Sequence, residues 1–187
     1  GVGSYLPKKI ILNDSLPSEL NTSDEWIRKR TGITQRHIVS ENELTSTMAI
    51  EASKKALINA NLNSKEIDLV VLATTTPDNT FPATAVKVQS ELNMKTGPAF
   101  DIQAVCAGFI YALKVASSIL QTSNLNKAIV IGSESFSKIL DWNDRSTSVL
   151  FGDGAGAVIL EKYKDYKNWG LLASNFYSDG NFSNILY

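Results

Sequence analysis

The stretch AFDIQAVCAGF, residues 99–109, decides the fold because it carries an apolar strand into a cysteine and then directly into a helix. Residues 99–105 have the composition of a short buried strand, and residues 107–121 bear apolar side chains at helical spacing. Cys106 is the only cysteine of the chain. The sequence therefore predicts that Cys106 lies at a strand-to-helix turn.

A cysteine at the beginning of a helix is suited to nucleophilic chemistry. Backbone N–H groups there have no partner within the helix and the helix dipole is positive, which favours the thiolate. The same groups can stabilise an oxyanion during acyl transfer, and the small side chains of Ala107 and Gly108 leave room for a thioester. Free cysteines are also often buried and inert, so the residues alone leave a nucleophilic and a structural Cys106 equally open.

Predicted strands and helices alternate on both sides of this stretch. Helix 45–60 has Met48, Ala52 and Ala56 on one face, and such small side chains indicate close packing against a sheet. The predicted strands are 34–39, 68–74, 99–105, 128–133, 158–161 and 170–174. Further helices are predicted from Thr22–Glu25 to Gly32, at 83–92 and at 107–121. Residues 1–7 are predicted to form the end of a strand and a turn, followed by a loop to Asn21. Strands joined by helices of this length predict parallel pairing in a layered α/β fold.

Length and composition bound the class of protein. With 187 residues and 43% hydrophobic content, the chain suffices for one sizeable domain. The near balance of 18 Lys and Arg against 19 Asp and Glu argues against nucleic acid as a partner. A single cysteine excludes an internal disulfide, and one histidine with one cysteine does not form a set of metal ligands.

The sequence also bears on location and completeness. No apolar run approaches the roughly 20 residues of a membrane span and no signal peptide is visible, so we expect a cytoplasmic protein without a membrane span. The chain begins at Gly1 without a methionine and ends on an apolar segment, so we expect it to be truncated at both ends.

Three further features each allow two interpretations. Trp26 fits the core or, beside the basic residues 28–30, a stacking face next to phosphate-binding charge. His37 is the only histidine available as a general base, but its alternating segment favours a structural hydrogen-bonding group. The glycine-rich run 151–157 precedes a predicted strand and lacks the Gly-Lys-Ser/Thr sequence of a phosphate loop, which favours tight backbone packing.

Six short motifs occur in an order and spacing typical of one enzyme family. They are GSYLP (3–7), TSDEWI (22–27), RTGI (30–33), ATTT (73–76), CAGF (106–109) and FGDGAG (151–156). With these motifs the chain resembles β-ketoacyl-acyl carrier protein synthase III, a thiolase-like condensing enzyme, over essentially its whole length. The resemblance implies an α/β fold that forms a layered αβα thiolase-like half with a mixed, mostly parallel sheet. It also identifies residues 1–187 as the N-terminal thiolase-like domain, with the C-terminal half absent.

The resemblance implies a reaction as well. Cys106 matches the family's nucleophile, which takes an acyl group from an acyl-CoA, expected to be acetyl-CoA, and holds it as a thioester. Malonyl-acyl carrier protein is then decarboxylated and condensed onto this group to give 3-ketoacyl-acyl carrier protein. This step initiates fatty-acid biosynthesis, and the resemblance implies no cofactor.

Further residues match positions that contact the substrate or a partner subunit. Trp26 and Arg145 match the pair that holds the CoA adenine, and both offer planar faces suited to stacking. The matched CoA-binding residues are Thr22, Trp26, Arg30, Arg145, Ser146 and Leu150. Phe81 matches a residue that crosses the family's dimer interface towards the partner's acyl pocket, so we expect a homodimer.

The chain also departs from the family pattern. The family's catalytic histidine and asparagine belong to its second half, and no position of this chain matches them; His37 matches a non-catalytic histidine. We therefore expect the 187-residue chain alone not to complete the condensation. We also expect it to be poorly soluble, because the apolar face that meets the second half would be exposed to water. Two alternatives stay open: a non-catalytic CoA- or acyl-binding module in which Cys106 is structural, and a related condensing enzyme with a different starter.

Overall fold

A mixed five-stranded sheet lies at the centre of this computed structural model, which describes residues 1–163 and 170–185. The strands are β1 (Val2–Tyr5), β2 (Lys9–Leu12), β3 (Gln35–Ile38), β4 (Leu69–Ala73), β5 (Ala99–Ile102), β6 (Lys127–Ser135) and β7 (Asp153–Glu161). The helices are α1 (Asp24–Thr31), α2 (Thr45–Ala60), α3 (Thr84–Glu91), α4 (Gly108–Thr122) and α5 (Arg145–Ser148). Short 3-10 turns connect several of these elements.

The strand order in the sheet is β1-β7-β6-β4-β5. Strand β4 pairs in parallel with both β5 and β6, whereas β7 pairs antiparallel with β6 and β1. Every strand of this sheet except β7 therefore runs in one direction, which confirms the predicted mixed, mostly parallel sheet. Strands β2 and β3 form a separate antiparallel pair.

Helices cover both faces of the sheet, and β4 is buried on both sides. On one face, Val70 and Leu72 pack in a core cluster with α2 and α3. On the other face, Leu69 and Val71 pack in a second cluster with α4. Alternate residues of a strand point to opposite faces, so the continuous apolar run of β4 contributes to both clusters. This arrangement confirms the layered αβα fold.

Small residues allow α2 to approach the sheet closely. Ala52 and Ala56 of α2 are fully buried. Opposite them on β1, a Cβ atom at Gly3 would lie 2.2 Å from the carbonyl oxygen of Ala52. Only glycine fits at that distance, because any side chain would force the helix away from the strand. The close packing predicted from the small residues of α2 is confirmed.

The predicted strand at residues 170–174 is wrong. Residues 171–179 contain no regular structure, and a 3-10 turn follows at Gly180–Phe182. Leu172 and Tyr177 are 71% and 85% exposed, so this segment does not lie along a sheet edge that would supply hydrogen-bond partners. Trp169, where the prediction began, lies outside the described residues.

Two further predictions are wrong: the placement of the glycine-rich run before a strand, and the loop before Asn21. Strand β7 begins at Asp153, so most of the glycine run lies inside the strand instead of before it. The ladder with β6 extends from Glu161 opposite Lys127 to Asp153 opposite Ser135, and this pairing overrides the low strand propensity of glycine. The loop predicted before Asn21 contains β2, whose four residues are too few to show a clear period.

Helix α4 and the turn before it, residues 105–122, have the length and mean hydropathy (1.4) of a membrane span. Only 22% of these residues are buried, among them Ala112, Ala116 and Leu120 against the sheet. Core helices of globular proteins meet the same criteria, so length and composition alone do not assign this helix to a membrane.

Substitution of Leu72 by alanine should destabilise the protein, because Leu72 is fully buried in the cluster between β4, α2 and α3. We expect the free energy of unfolding to fall by about 2–5 kcal/mol, measured by urea denaturation followed by circular dichroism. Ile58→Ala is the control, since Ile58 is 79% exposed. That substitution should change the free energy of unfolding by about 0.5 kcal/mol or less. Equal losses for the two variants would contradict the assigned core.

Candidate active site

The ends of three parallel strands meet at one edge of the sheet, and Cys106 lies at this edge. Ala73 of β4 pairs with Ile102 at the end of β5 and with Gly132 in β6. The chain continues from β5 into the 3-10 turn Val105–Ala107 and then into α4. Cys106 is therefore at the predicted strand-to-helix turn, at the edge where ligands bind in open α/β sheets.

The side chain of Cys106 is exposed. On this chain the thiol is therefore accessible to solvent. The cysteine directly precedes α4, whose first N–H groups and dipole favour negative charge. The position thus suits a nucleophile, and the role itself stays a prediction.

The residue before the cysteine has a strained backbone. Val105 has a φ of 46°, in the left-handed region that β-branched residues rarely adopt. Such a conformation costs about 1–3 kcal/mol and is concentrated at functional sites, where the surrounding structure enforces it. Sequence reasoning missed this feature, because a valine carries no signal for a positive φ.

Small residues let the first turn of α4 lie directly on the sheet. A Cβ atom at Gly108 would be 3.4 Å from the Cβ of Ala73, and one at Gly132 would be 3.3 Å from the ring of Phe109. Gly108 is buried, so a side chain larger than alanine would displace the beginning of α4. The position of Cys106 relative to β4 therefore depends on this glycine.

The carboxylate of Glu134, which sequence reasoning did not single out, ties the loop after β4 to β6. The N–H of Thr75 donates to Oε1 of Glu134 at 2.7 Å, and the hydroxyl of Thr76 donates to Oε2 at 2.6 Å. The N–H of Thr74 donates to the carbonyl of Ile102 at 3.1 Å, so the same loop is bound to the end of β5. The run of three threonines after a buried strand was the only sequence signal for this network.

A second cluster forms around Trp26 on α1. The Cζ atoms of Arg30 and Arg145 lie 4.2 and 4.9 Å from the centre of the Trp26 ring. Trp26 is half-buried, and its backbone N–H donates to the hydroxyl of Ser23, the N-cap of α1, at 3.1 Å. The ring is a stacking surface for two cations and not an enclosed core side chain. We call Trp26 and Arg145 the clamp.

Hydrogen bonds at the two helix ends fix the clamp residues. Nη1 of Arg145 donates to the carbonyl of Asn21 at 2.9 Å. Asp144 caps α5 by accepting from the hydroxyl of Thr147 at 2.6 Å and from the N–H of Ser146 at 2.8 Å. These hydrogen bonds from Thr147 and Ser146 hold the pKa of Asp144 below its usual value.

Asp24, the first residue of α1, is held in a similar way. Nε of Arg28 donates to Oδ2 of Asp24 at 2.6 Å, and Nδ2 of Asn13 donates to Oδ1 at 2.8 Å. The hydrogen bonds from Arg28 and then from Asn13 lower the pKa of Asp24. Both carboxylates are therefore negative at neutral pH, next to helix N-termini that favour negative charge.

Three other predicted CoA residues adjoin the clamp. Thr22 precedes α1, and its hydroxyl is buried without a hydrogen-bond partner among the described residues. The hydroxyl of Ser146 donates to Asp144 at 2.7 Å, and Leu150 follows α5 with 45% of its surface exposed. Phe81 is on a different segment, the loop between β4 and α3, and is 83% exposed.

His37 makes a structural contact. Its Nδ1 lies 2.5 Å from the carbonyl oxygen of Pro7, to which the Nδ1–H form of the ring donates. This bond joins β3 to the segment after β1 and confirms the interpretation of His37 as a structural hydrogen-bonding group.

Known proteins match the chain over its full length. A family model described as 3-oxoacyl-[acyl-carrier-protein (ACP)] synthase III matches residues 100–180. The β-ketoacyl-[acyl-carrier-protein] synthase III of Ehrlichia canis is 54% identical over 187 residues, which are 100% of this chain and 58% of that protein. The protein of the same name from Erythrobacter litoralis is 56% identical over 188 aligned positions, covering 100% of this chain and 59% of that protein.

The fold agrees with these sequence matches. The crystal structure of 3-oxoacyl-[acyl-carrier-protein] synthase III from Aquifex aeolicus superimposes with a TM-score of 0.84 at 50% identity. The superposition covers 88% of this chain and 53% of that one, so the chain spans a little more than half the length of these relatives. By sequence and by fold, the chain is similar to β-ketoacyl-[acyl-carrier-protein] synthase III proteins over a little more than half of their length.

Proposed function

We propose that the whole protein to which this chain belongs is an acyltransferase that initiates fatty-acid biosynthesis. The thiolate of Cys106 attacks the thioester carbonyl of an acyl-CoA, with acetyl-CoA as the expected donor, and the CoA thiolate leaves. Malonyl-acyl carrier protein then loses carbon dioxide and condenses with the cysteine-bound acyl group to give 3-ketoacyl-acyl carrier protein. The observation that carries the proposal is an exposed cysteine at the beginning of α4 in a chain similar to these proteins.

The described residues supply the requirements of the first half-reaction. The N–H groups at the beginning of α4 lie next to Cys106 and favour both the thiolate and the oxyanion of the tetrahedral intermediate. Gly108 is buried and lets the beginning of α4 pack closely on Ala73 of β4. The histidine and asparagine that would assist decarboxylation and condensation are assigned by the family resemblance to the second half of the protein.

The clamp is the proposed site of the CoA adenine. An aromatic base between two planar groups needs them roughly 7 Å apart, which is two van der Waals separations of about 3.5 Å. Because Cζ of Arg145 lies 4.9 Å from the Trp26 ring, Arg145 must move outward when adenine enters. Its side chain is exposed, and this movement would break the hydrogen bond from Nη1 of Arg145 to the carbonyl of Asn21. Lys29 and Arg30 in the last turn of α1 add positive charge for the phosphates of CoA, with Thr22, Ser146 and Leu150 alongside.

The proposal includes a cytoplasmic homodimer. Phe81 leaves 83% of a large apolar side chain exposed on this chain, and burial against a partner subunit would remove it from water. In that arrangement Phe81 would contribute to the partner's acyl pocket. A single free cysteine fits a reducing compartment.

Incubation of the full-length protein with acetyl-CoA should leave one acetyl group on Cys106, because the thiol is exposed and lies at the beginning of a helix. Intact-mass spectrometry should show the added acetyl group, and the Cys106→Ala variant should not gain it. A full-length protein that binds CoA without any covalent adduct would contradict the enzyme and favour a CoA-binding module.

Removal of the Trp26 ring should weaken the binding of CoA, because stacking of a base on an aromatic side chain contributes about 1–3 kcal/mol. We expect the dissociation constant measured by calorimetry to rise roughly 5- to 150-fold for Trp26→Ala. Lys65→Ala is the control for the loss of a surface residue, since Lys65 precedes β4 and lies at the opposite edge of the sheet from Cys106. If Trp26→Ala binds CoA as tightly as the control, the adenine does not occupy the clamp.

The hydrogen bonds that Asp24 accepts at α1 and Asp144 accepts at α5 should be lost only at pH values below the ordinary titration range of aspartate. The folded-state pKa values of Asp24 and Asp144 are lowered. Their stabilisation is therefore fully present above the unfolded pKa of about 3.9 and is lost as pH falls through the lower folded values. NMR titration of the side-chain carboxyl carbons should give midpoints below about 3.9 for both residues. A higher midpoint would contradict the hydrogen bonds assigned to that residue.

A further inference from the structure

Arg36 on β3 is a buried cation that the proposed chemistry does not use. Its side chain is 4% exposed, and burial lowers its pKa. Among the described residues no carboxylate lies within 4.0 Å of it, and its Nε and Nη1 atoms are buried without hydrogen-bond partners. A guanidinium remains charged in proteins, so its burial without a counter-ion carries a large desolvation cost. Such a cost points to a specific role.

The bonds that Arg36 does make connect two separate parts of the chain. Its Nη2 donates to Oδ1 of Asn13 at 2.8 Å and to the carbonyl oxygen of Val149 at 3.2 Å. Val149 directly follows α5, the helix that begins with Arg145. One terminal nitrogen of Arg36 therefore joins the turn after β2 to the end of the helix that carries one half of the clamp.

Asn13 continues this connection to the other half of the clamp. Its side chain is 2% exposed, and its Nδ2 donates to Oδ1 of Asp24 at 2.8 Å and to the carbonyl oxygen of Ile33 at 2.7 Å. Asp24 is the first residue of α1, and Ile33 lies just beyond its last residue. Asn13 thus holds both ends of the helix that carries Trp26.

The packing around Arg36 confines its side chain. A Cβ atom at Gly152 would lie 3.1 Å from the Cβ of Arg36, so the backbone at residue 152 confines the stem of the side chain. The planar head then meets two acceptors on different segments, Asn13 and Val149. In place of this planar head, a lysine would present a compact ammonium on a flexible stem, which holds the same two acceptors less rigidly.

We propose that Arg36 is a positioning residue that fixes the separation of α1 and α5, the helices that carry Trp26 and Arg145. It bonds through Asn13 to α1 and through Val149 to the end of α5, so both halves of the clamp are held by one rigid group. The inference rests on the proposed function, because it gives the clamp its role in holding the nucleotide of CoA. It predicts that loss of Arg36 lowers kcat/KM more for acyl donors that carry the nucleotide than for donors that lack it.

The test compares two acyl donors with the full-length protein. Acetyl-CoA carries the nucleotide, whereas acetyl-pantetheine is a thioester without it. For Arg36→Lys we expect the ratio of kcat/KM for acetyl-CoA to that for acetyl-pantetheine to fall about 3- to 30-fold through KM. In the background of Trp26→Ala, the further change Arg36→Lys should not lower this ratio again, since both act through one clamp. Equal losses with both donors, or losses that multiply in the double variant, would overturn the proposal.

A second variant covers the case in which Arg36→Lys does not fold. Asn13→Asp keeps an acceptor for Arg36 but removes the Nδ2 donor to Asp24 and brings two carboxylates together, so it breaks the connection at α1. It should lower the same ratio of the two donors, and an unchanged ratio would overturn the proposal. If Trp26→Ala alone leaves the ratio unchanged, the clamp does not bind the nucleotide and the CoA assignment itself fails. If Trp26→Ala lowers the ratio and the variants at Arg36 and Asn13 do not, only the positioning role fails.

Discussion

The pairing of β4 with a parallel strand on each side is the constraint on which the rest of the structure depends. Every residue of β4 is buried, so each face of the sheet needs its own layer of helices. Parallel neighbours also bring the ends of β4, β5 and β6 to one edge. The turn with Cys106 and the threonine loop after β4 follow two of these strands, and both therefore lie at that edge. A one-residue shift in register would turn each apolar residue of β4 to the other face and separate these segments.

Two kinds of interaction hold the two parts of the site. The thiol edge is fixed by packing, since Gly108 rests on Ala73 and Gly132 lies beneath Phe109. The clamp lies outside the sheet, between α1 and α5, and is held by hydrogen bonds to buried polar groups such as Asn13. Apolar packing is insensitive to pH, whereas polar bonds depend on charge and on the pairing of each donor. Conditions that weaken one part of the site therefore need not weaken the other.

The sequence was sufficient to predict those helices and strands whose pattern lies within a run of neighbouring residues. The long apolar period of α2, the continuous run of β4, and the end of α1 at Gly32 were predicted close to their observed bounds, and α1 was predicted to begin within residues 22–25. The placement of Cys106 before α4 followed from a strand pattern that meets a helical one. Trp26 and Arg145 were paired only through the family resemblance, because nothing in their local patterns indicates that they meet.

The failures concern features that depend on distant partners. Strand β2 exists because β3 pairs with it, and the glycines of β7 are in a strand because β6 runs beside them. Residues 170–174 have a strand-like composition but pair with no strand among residues 1–163 and 170–185. The burial of Arg36 likewise depends on Asn13 and Val149, which are far from it in sequence. Local composition cannot reveal a partner that tertiary packing supplies.

The direction of β7 has a consequence for the segment that packs on the first turn of α4. Because β7 runs opposite to β6, the chain reaches Glu161 beside Lys127, at the edge of the sheet remote from Cys106. By Phe176 it is back at the first turn of α4, where the Phe176 ring lies 4.4 Å from that of Tyr111. A segment without regular structure thus contacts the first turn of α4, the turn that follows Cys106, through one pair of aromatic rings. Insertions or deletions in residues 171–179 would change what packs on Tyr111 while the sheet and its helices stay unchanged.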